Sequence, residues 1–134
     1  MERTKDVQVV RLGLLVLGLY QLALGLWIAV APRSFFDVLG DFGARNVHYL
    51  RDDASWELAL AVAALLAVGR PRWRVPVIAL ALVHFSLHAL NHLVDVSDAD
   101  PGWVGPFDLA ALAAGAVGLG WLLARALAAD AASR

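Results

Sequence analysis

Residues 83–95 read VHFSLHALNHLVD and place His84, His88, His92, Asn91 and Asp95 in a run otherwise made of Val, Leu, Phe and Ala. At about 100° per residue in a helix, His84, His88, Asn91 and Asp95 point within about 60° of one another, with His92 just beside them. A second apolar run carries Asp53 and Glu57, four apart and therefore on one helix face. Imidazole and carboxylate in one place suit three kinds of chemistry. They can hold Zn2+, Fe or Cu(II), with His84, His88, Asp53 and Glu57 as donors and His92 as a weaker one. They can exchange protons with a bound small molecule. They can also hydrogen-bond helices to one another and do nothing else.

The elements that must carry these residues follow from the distribution of apolar side chains. The chain has 134 residues, enough for one domain, and is 60% hydrophobic and 17% charged. The apolar residues gather at 12–31, 54–68, 75–94 and 107–127. Three of these blocks approach the roughly 20 residues that cross a hydrocarbon core of about 30 Å, and the second does so when extended back to Asn46. The expected fold is all-α, a four-transmembrane-helix bundle with helices over about 9–31, 46–68, 75–95 and 106–127. Ala29-Val30-Ala31 resembles a signal cleavage site, but the stretch before it is long for a signal core and Pro32 would follow the cut. The first block is read as a retained helix.

Charge sets the expected orientation. Lys5, Arg11, Arg70, Arg72, Arg74, Arg125 and Arg134 fall on the side that holds both termini, joined by Arg3, whereas only Arg33, Arg45 and Arg51 fall on the other. The excess of basic residues predicts cytoplasmic N- and C-termini. The acids Asp37, Asp41, Asp52, Asp53, Glu57, Asp95, Asp98, Asp100 and Asp108 lie in the outer half, so a net charge of −1 hides a polarised molecule. Basic residues split between the ends and one tight turn make no nucleic-acid surface. The arginine- and alanine-rich composition resembles that of GC-rich bacteria, which places the expected location in a bacterial plasma membrane.

Between the first two helices, Ser34 to Asp37 fits a capping box, and Phe35, Leu39 and Phe42 recur at helical spacing. Segment 34–43 is thus expected to be a short interfacial helix that lids the site. Small residues at Ala59, Ala63 and Ala67, and at Ala110, Ala114 and Gly118, are expected to bring helices close.

Depth arithmetic then pairs the polar residues. Counted from the inner helix ends at 1.5 Å per residue, Glu57 lies about 16 Å up and His84 about 14 Å, Asp53 about 22 Å and His88 about 20 Å, and Gln21 about 14 Å. The expected site is an outward-opening cavity lined by Gln21, Asp53, Glu57, His84, His88, Asn91 and Asp95, with His92 contributing. His48 and Asp52 lie on the opposite face of their helix and are read as surface groups.

Some chemistry is excluded. The chain has no cysteine and Met1 is its only methionine, which removes cysteine-ligated iron–sulfur clusters and the preferred ligands of Cu(I). Neither the Glu-x-x-His nor the His-Glu-x-x-His pattern occurs. Haem is disfavoured because His84 and His88 sit on one helix and His48 lies too high to oppose them.

The stretch WELALAVAALLAVGRPRWRVPVIALALVHFSLHALNH at 56–92 resembles the core of the DoxX-like small membrane proteins. In that family a Glu opens a small-residue helix, a basic turn with a Pro follows, and the next helix bears polar groups; Glu57, Pro71 and the run from His84 to His92 stand at those places. The usual glycines after the Glu are Ala59 and Ala61 here. The resemblance covers about half of the chain. It implies a four-helix membrane bundle, sometimes associated with membrane oxidoreductase assemblies and quinone-linked sulfur metabolism, and it transfers no catalytic residue. The expected partners are the lipid bilayer, a membrane protein or a second copy in a homodimer, and a small-molecule or quinone ligand.

Overall fold

The computed structural model describes residues 2–131; Arg134, counted with the inner basic residues above, lies outside them. Four long helices account for most of the chain: α1 (Glu2–Val30), α3 (Val47–Gly69), α4 (Pro71–Val94) and α5 (Val104–Ala131). A short α2 (Pro32–Phe35) runs directly into a π turn at Phe36–Gly40 between α1 and α3. No strand occurs among the described residues. Helix α1 packs along α3, α4 along α5, and the two pairs meet through α1 with α5 and α3 with α4.

Three helices are long and apolar enough to cross a membrane: Thr4–Val30, Pro71–Val94 and Val104–Ala131. Helix α3 is not among them, although a span was expected there. Its 23 residues carry Arg51, Asp52, Asp53 and Glu57 near the start, which lowers its apolar character. The outward faces fit an apolar solvent. On α4, Leu80, Val83, Leu87, Leu90 and Val94 form an exposed stripe at helical spacing.

Local chemistry explains where the helices stop. The Asn46 side chain accepts hydrogen bonds from the backbone N–H groups of His48 and Tyr49 and so starts α3. At the other end, Arg74 donates to the carbonyls of Ala67 and Val68 in the last turn of α3, and the Arg70 N–H donates to Ala67 as well. Pro71 then opens α4, where a missing N–H costs nothing. The segment expected to begin with a Ser34 capping box begins instead at Pro32, with no side-chain cap. The Ser34 hydroxyl, inside α2, accepts a bond from the Trp27 indole N–H at 3.2 Å.

Close packing uses only part of the small-residue rows expected, together with glycines of α1. A Cβ on Gly18 would sit 2.7 Å from the Leu65 side chain, and one on Gly25 would sit 2.9 Å from Leu58. These two glycines let α1 lie against α3. On α3 the buried face runs through Glu57, Leu60, Ala61, Ala64 and Ala67, so Ala59 is turned outward and Ala63 is only half-buried. Ala110, Ala114 and Gly118 on α5 are exposed, and nothing lies within 4 Å of a Cβ on Gly118. Of that row, Gly118 borders the gap between α5 and α1, and Ala110 and Ala114 lie outside it.

Candidate functional site

Helices α1 and α5 touch at the end that carries the chain termini and separate toward the end that carries the loops. At the terminal end Arg125 donates to Asp6 at 3.0 Å, and Leu122 fills the space beside Gly13. Beyond that point the helices leave a laterally open groove of about 1320 Å³. Its terminal half is apolar, lined by Leu12, Val16, Gly118 and Trp121. In its loop half the back wall comes from α3 and α4 and carries Asp53, Glu57, His88 and His92. Asp108 and Phe107 of α5 and Tyr20 of α1 complete the sides. The volume exceeds the roughly 300–1,000 Å³ of ordinary small-molecule pockets, and the lining runs from Val9 and Trp121 to Phe42 and His92.

The connection after α1 covers the loop end. Phe35, Phe36, Leu39 and Phe42 all line the groove. Phe42 stands edge-on to the His92 ring with centroids 4.7 Å apart, and Trp27 packs edge-to-face on Phe35 at 5.5 Å. The Asp100 N–H donates to the Asp41 carbonyl at 3.0 Å, which fastens this cover to the loop between α4 and α5.

The polar core of the site is a line of groups. Glu57 is 3% exposed, and its Oε1 lies 3.6 Å from His84 Nε2. The ring centroids of His84 and His88 are 5.5 Å apart, and those of His88 and His92 are 4.9 Å apart. The Nε2 atoms of His88 and His92 are 3.2 Å apart, so the N–H of one ring meets the lone pair of the other. Trp56 lies beside His84 at 5.3 Å. Among the described residues, the buried atoms Gln21 Nε2, Glu57 Oε2 and His92 Nδ1 keep no hydrogen-bond partner. An unpaired buried polar atom costs about 1–3 kcal/mol, so groups of this kind mark a place where something else binds or where water enters.

Each residue expected at the site can now be placed. Asp53, Glu57, His88 and His92 line the groove together. His84 stands behind it, joined through Glu57. Gln21 is 1% exposed, at the seam between α1 and its neighbours and outside the lining. Asn91 and Asp95 are exposed and do not line the groove. Helical phase gives the reason. The groove-facing side of α4 is set by Phe85, His88 and His92, centred about 70° from His84, whereas Asn91 lies about 20° to the other side. Asp95 is already the residue that ends α4, its N–H bonded to the Asn91 carbonyl.

The metal reading gains no support among the described residues. Among the described residues no three His, Asp or Glu side chains stand together as a metal site. His84, His88 and His92 rise in single file on one helix, so their nitrogens follow one another instead of surrounding a common point. His48 pairs with Asp52 at 3.5 Å on the exposed side of α3, as a surface couple. Asp108 and Tyr20 were missed as lining residues. Asp108 had an adequate explanation at the start of a helix, and no pattern within α5 alone reveals what faces it.

The chain matches no family model, no curated protein and no solved structure. The functional reading therefore rests on this geometry.

Proposed function

We propose that the chain is a four-helix bundle in a bacterial plasma membrane, with α3 as its fourth span, and that its groove binds an amphiphilic small molecule. The termini lie on the cytoplasmic side and the loop end faces outward, following the basic residues of the sequence. One observation carries the reading: a long apolar groove, open sideways to lipid, ends at a group of titratable side chains drawn from α3, α4 and α5. Ionisable groups at such depth are costly unless they meet water, each other or a ligand. A molecule with a hydrocarbon body along Val16, Gly118 and Trp121 and a polar head at Asp53 and Glu57 satisfies both halves. The segment from Phe35 to Phe42 closes over the head. A membrane oxidoreductase partner, suggested by the resemblance at 56–92, would act on this site from outside; binding itself needs no partner.

Because the chain has no native cysteine, single-cysteine reporters test this directly. Gly118→Cys places a thiol in the groove, and Val117→Cys places one on the outward face, where Val117 is 76% exposed. Exhaustive delipidation is expected to speed labelling of the first by a lipid-soluble maleimide, with the second unchanged. Equal effects at both positions would contradict a ligand in the groove.

A further inference from the structure

We propose that the groove selects a lipophilic organic cation. The inference rests on the groove being a ligand site and adds the charge and chemical class of its occupant. None of the lining residues is lysine or arginine, whereas Asp53, Glu57 and Asp108 all contribute carboxylates. An anionic head, including the phosphate of a membrane lipid, would meet acids with no basic partner, and like-charge juxtaposition costs several kcal/mol. Glu57 gives the second, independent observation. It is 97% buried, His84 takes up one of its oxygens, and Oε2 has no partner. A buried carboxylate oxygen of this kind lacks a positive or proton-donating group.

The shape of the site decides which cation. The carboxylates do not converge with any imidazole into a three-donor cage, so a compact metal ion finds no coordination sphere among the described residues. The walls around them are aromatic instead: Tyr20, Phe42, Phe85 and Phe107. Aromatic faces attract diffuse, poorly hydrated cations and hold them in an apolar setting without coordination. His84 on α4 lies 3.6 Å from Glu57, and Asp53 on its own helix, His88 on α4, Tyr20 on α1 and Asp108 on α5 line the same groove. Asp53, Glu57 and Asp108 supply the acids of the lining, and no lysine or arginine stands among them. A bulky cation with an apolar body uses all of these features, whereas a neutral quinol would donate a hydrogen bond to Glu57 Oε2 but bring no positive charge to the three acids.

The test uses two ions of nearly equal size and shape and opposite charge. Tetraphenylphosphonium and tetraphenylborate are titrated separately into full-length protein in phosphatidylcholine nanodiscs, with binding read by equilibrium dialysis against empty discs. The expected result is saturable phosphonium binding at least about tenfold tighter than borate binding, a difference of about 1.4 kcal/mol. Glu57→Gln and Asp53→Asn should each weaken phosphonium binding by about tenfold or more and leave borate unaffected. Gly118→Trp, which fills the apolar half, should weaken both. Equal binding of the two ions by wild-type protein, or tighter binding of borate, would overturn the cation inference and leave the groove as a ligand site. Wild-type phosphonium affinity in both carboxylate variants would likewise overturn it. Saturable binding of neither ion by folded wild-type protein would overturn the cation inference and count against the groove as well.

Discussion

Helix α1 meets two neighbours in opposite ways. Toward α3 it presents Gly18 and Gly25, and the seam is so close that any side chain at either position would press on Leu65, Leu58 or Glu57. Toward α5 the contact includes Gly13 with Leu122 and the ion pair of Asp6 with Arg125, and a groove opens alongside it. Both seams contain small residues. On the α3 side a glycine faces a large aliphatic side chain that fills its notch. On the α5 side Gly118 faces nothing. The lesson is that a small residue in a membrane helix either admits a neighbour or leaves room for a guest, and the facing side chain decides which.

This contrast can be broken in steps. The largest effect is expected from Gly18→Val, because a Cβ there already lies 3.2 Å from the Leu65 backbone nitrogen and α3 would have to move. A loss of about 3 kcal/mol is expected in detergent unfolding by circular dichroism, the upper end for overpacking. His84→Ala comes next. It removes the one partner of the buried Glu57, and a cost of about 1–3 kcal/mol should appear in the same assay. Adding Glu57→Leu to it should recover part of the loss, since no carboxylate would then be stranded. Arg125→Ala loosens the only polar clamp described at the base of the open seam. The guanidinium is 44% exposed, so no more than about 1 kcal/mol is expected, and high salt should shrink it. Gly118→Leu should be the mildest for stability, within about 0.5 kcal/mol, because the new side chain enters empty space. A large loss there would mean that α5 closes on α1 and that no groove exists.

Much of the fold was legible in the sequence. Apolar runs of near-spanning length located all four long helices to within a few residues at most ends, although α1 and α5 extend further into their polar ends than the runs suggest. Depth counting brought Glu57 to His84, because two antiparallel helices joined by the tight turn at Gly69 and Pro71 have little freedom to slip. Rotation was harder. The sequence shows which residues share a face of α4, but not which edge of that face the neighbouring helices cover. Asn91 and Asp95 were therefore grouped with His88 and His92, although they point to solvent or lipid. The same blindness hid Asp108, whose role depends on a gap between α1 and α5 that no local pattern encodes. A pairwise property such as that gap arises only when both helices are in place.

The most direct test of the central claim is native mass spectrometry of protein released from its own membranes under mild conditions, with wild type beside Gly118→Trp. A binding groove predicts one retained amphiphile on most wild-type molecules and its absence from the variant, with both proteins equally folded. Identical adducts on the two, or a bare wild-type protein, would contradict the claim and leave the polar residues as links between helices.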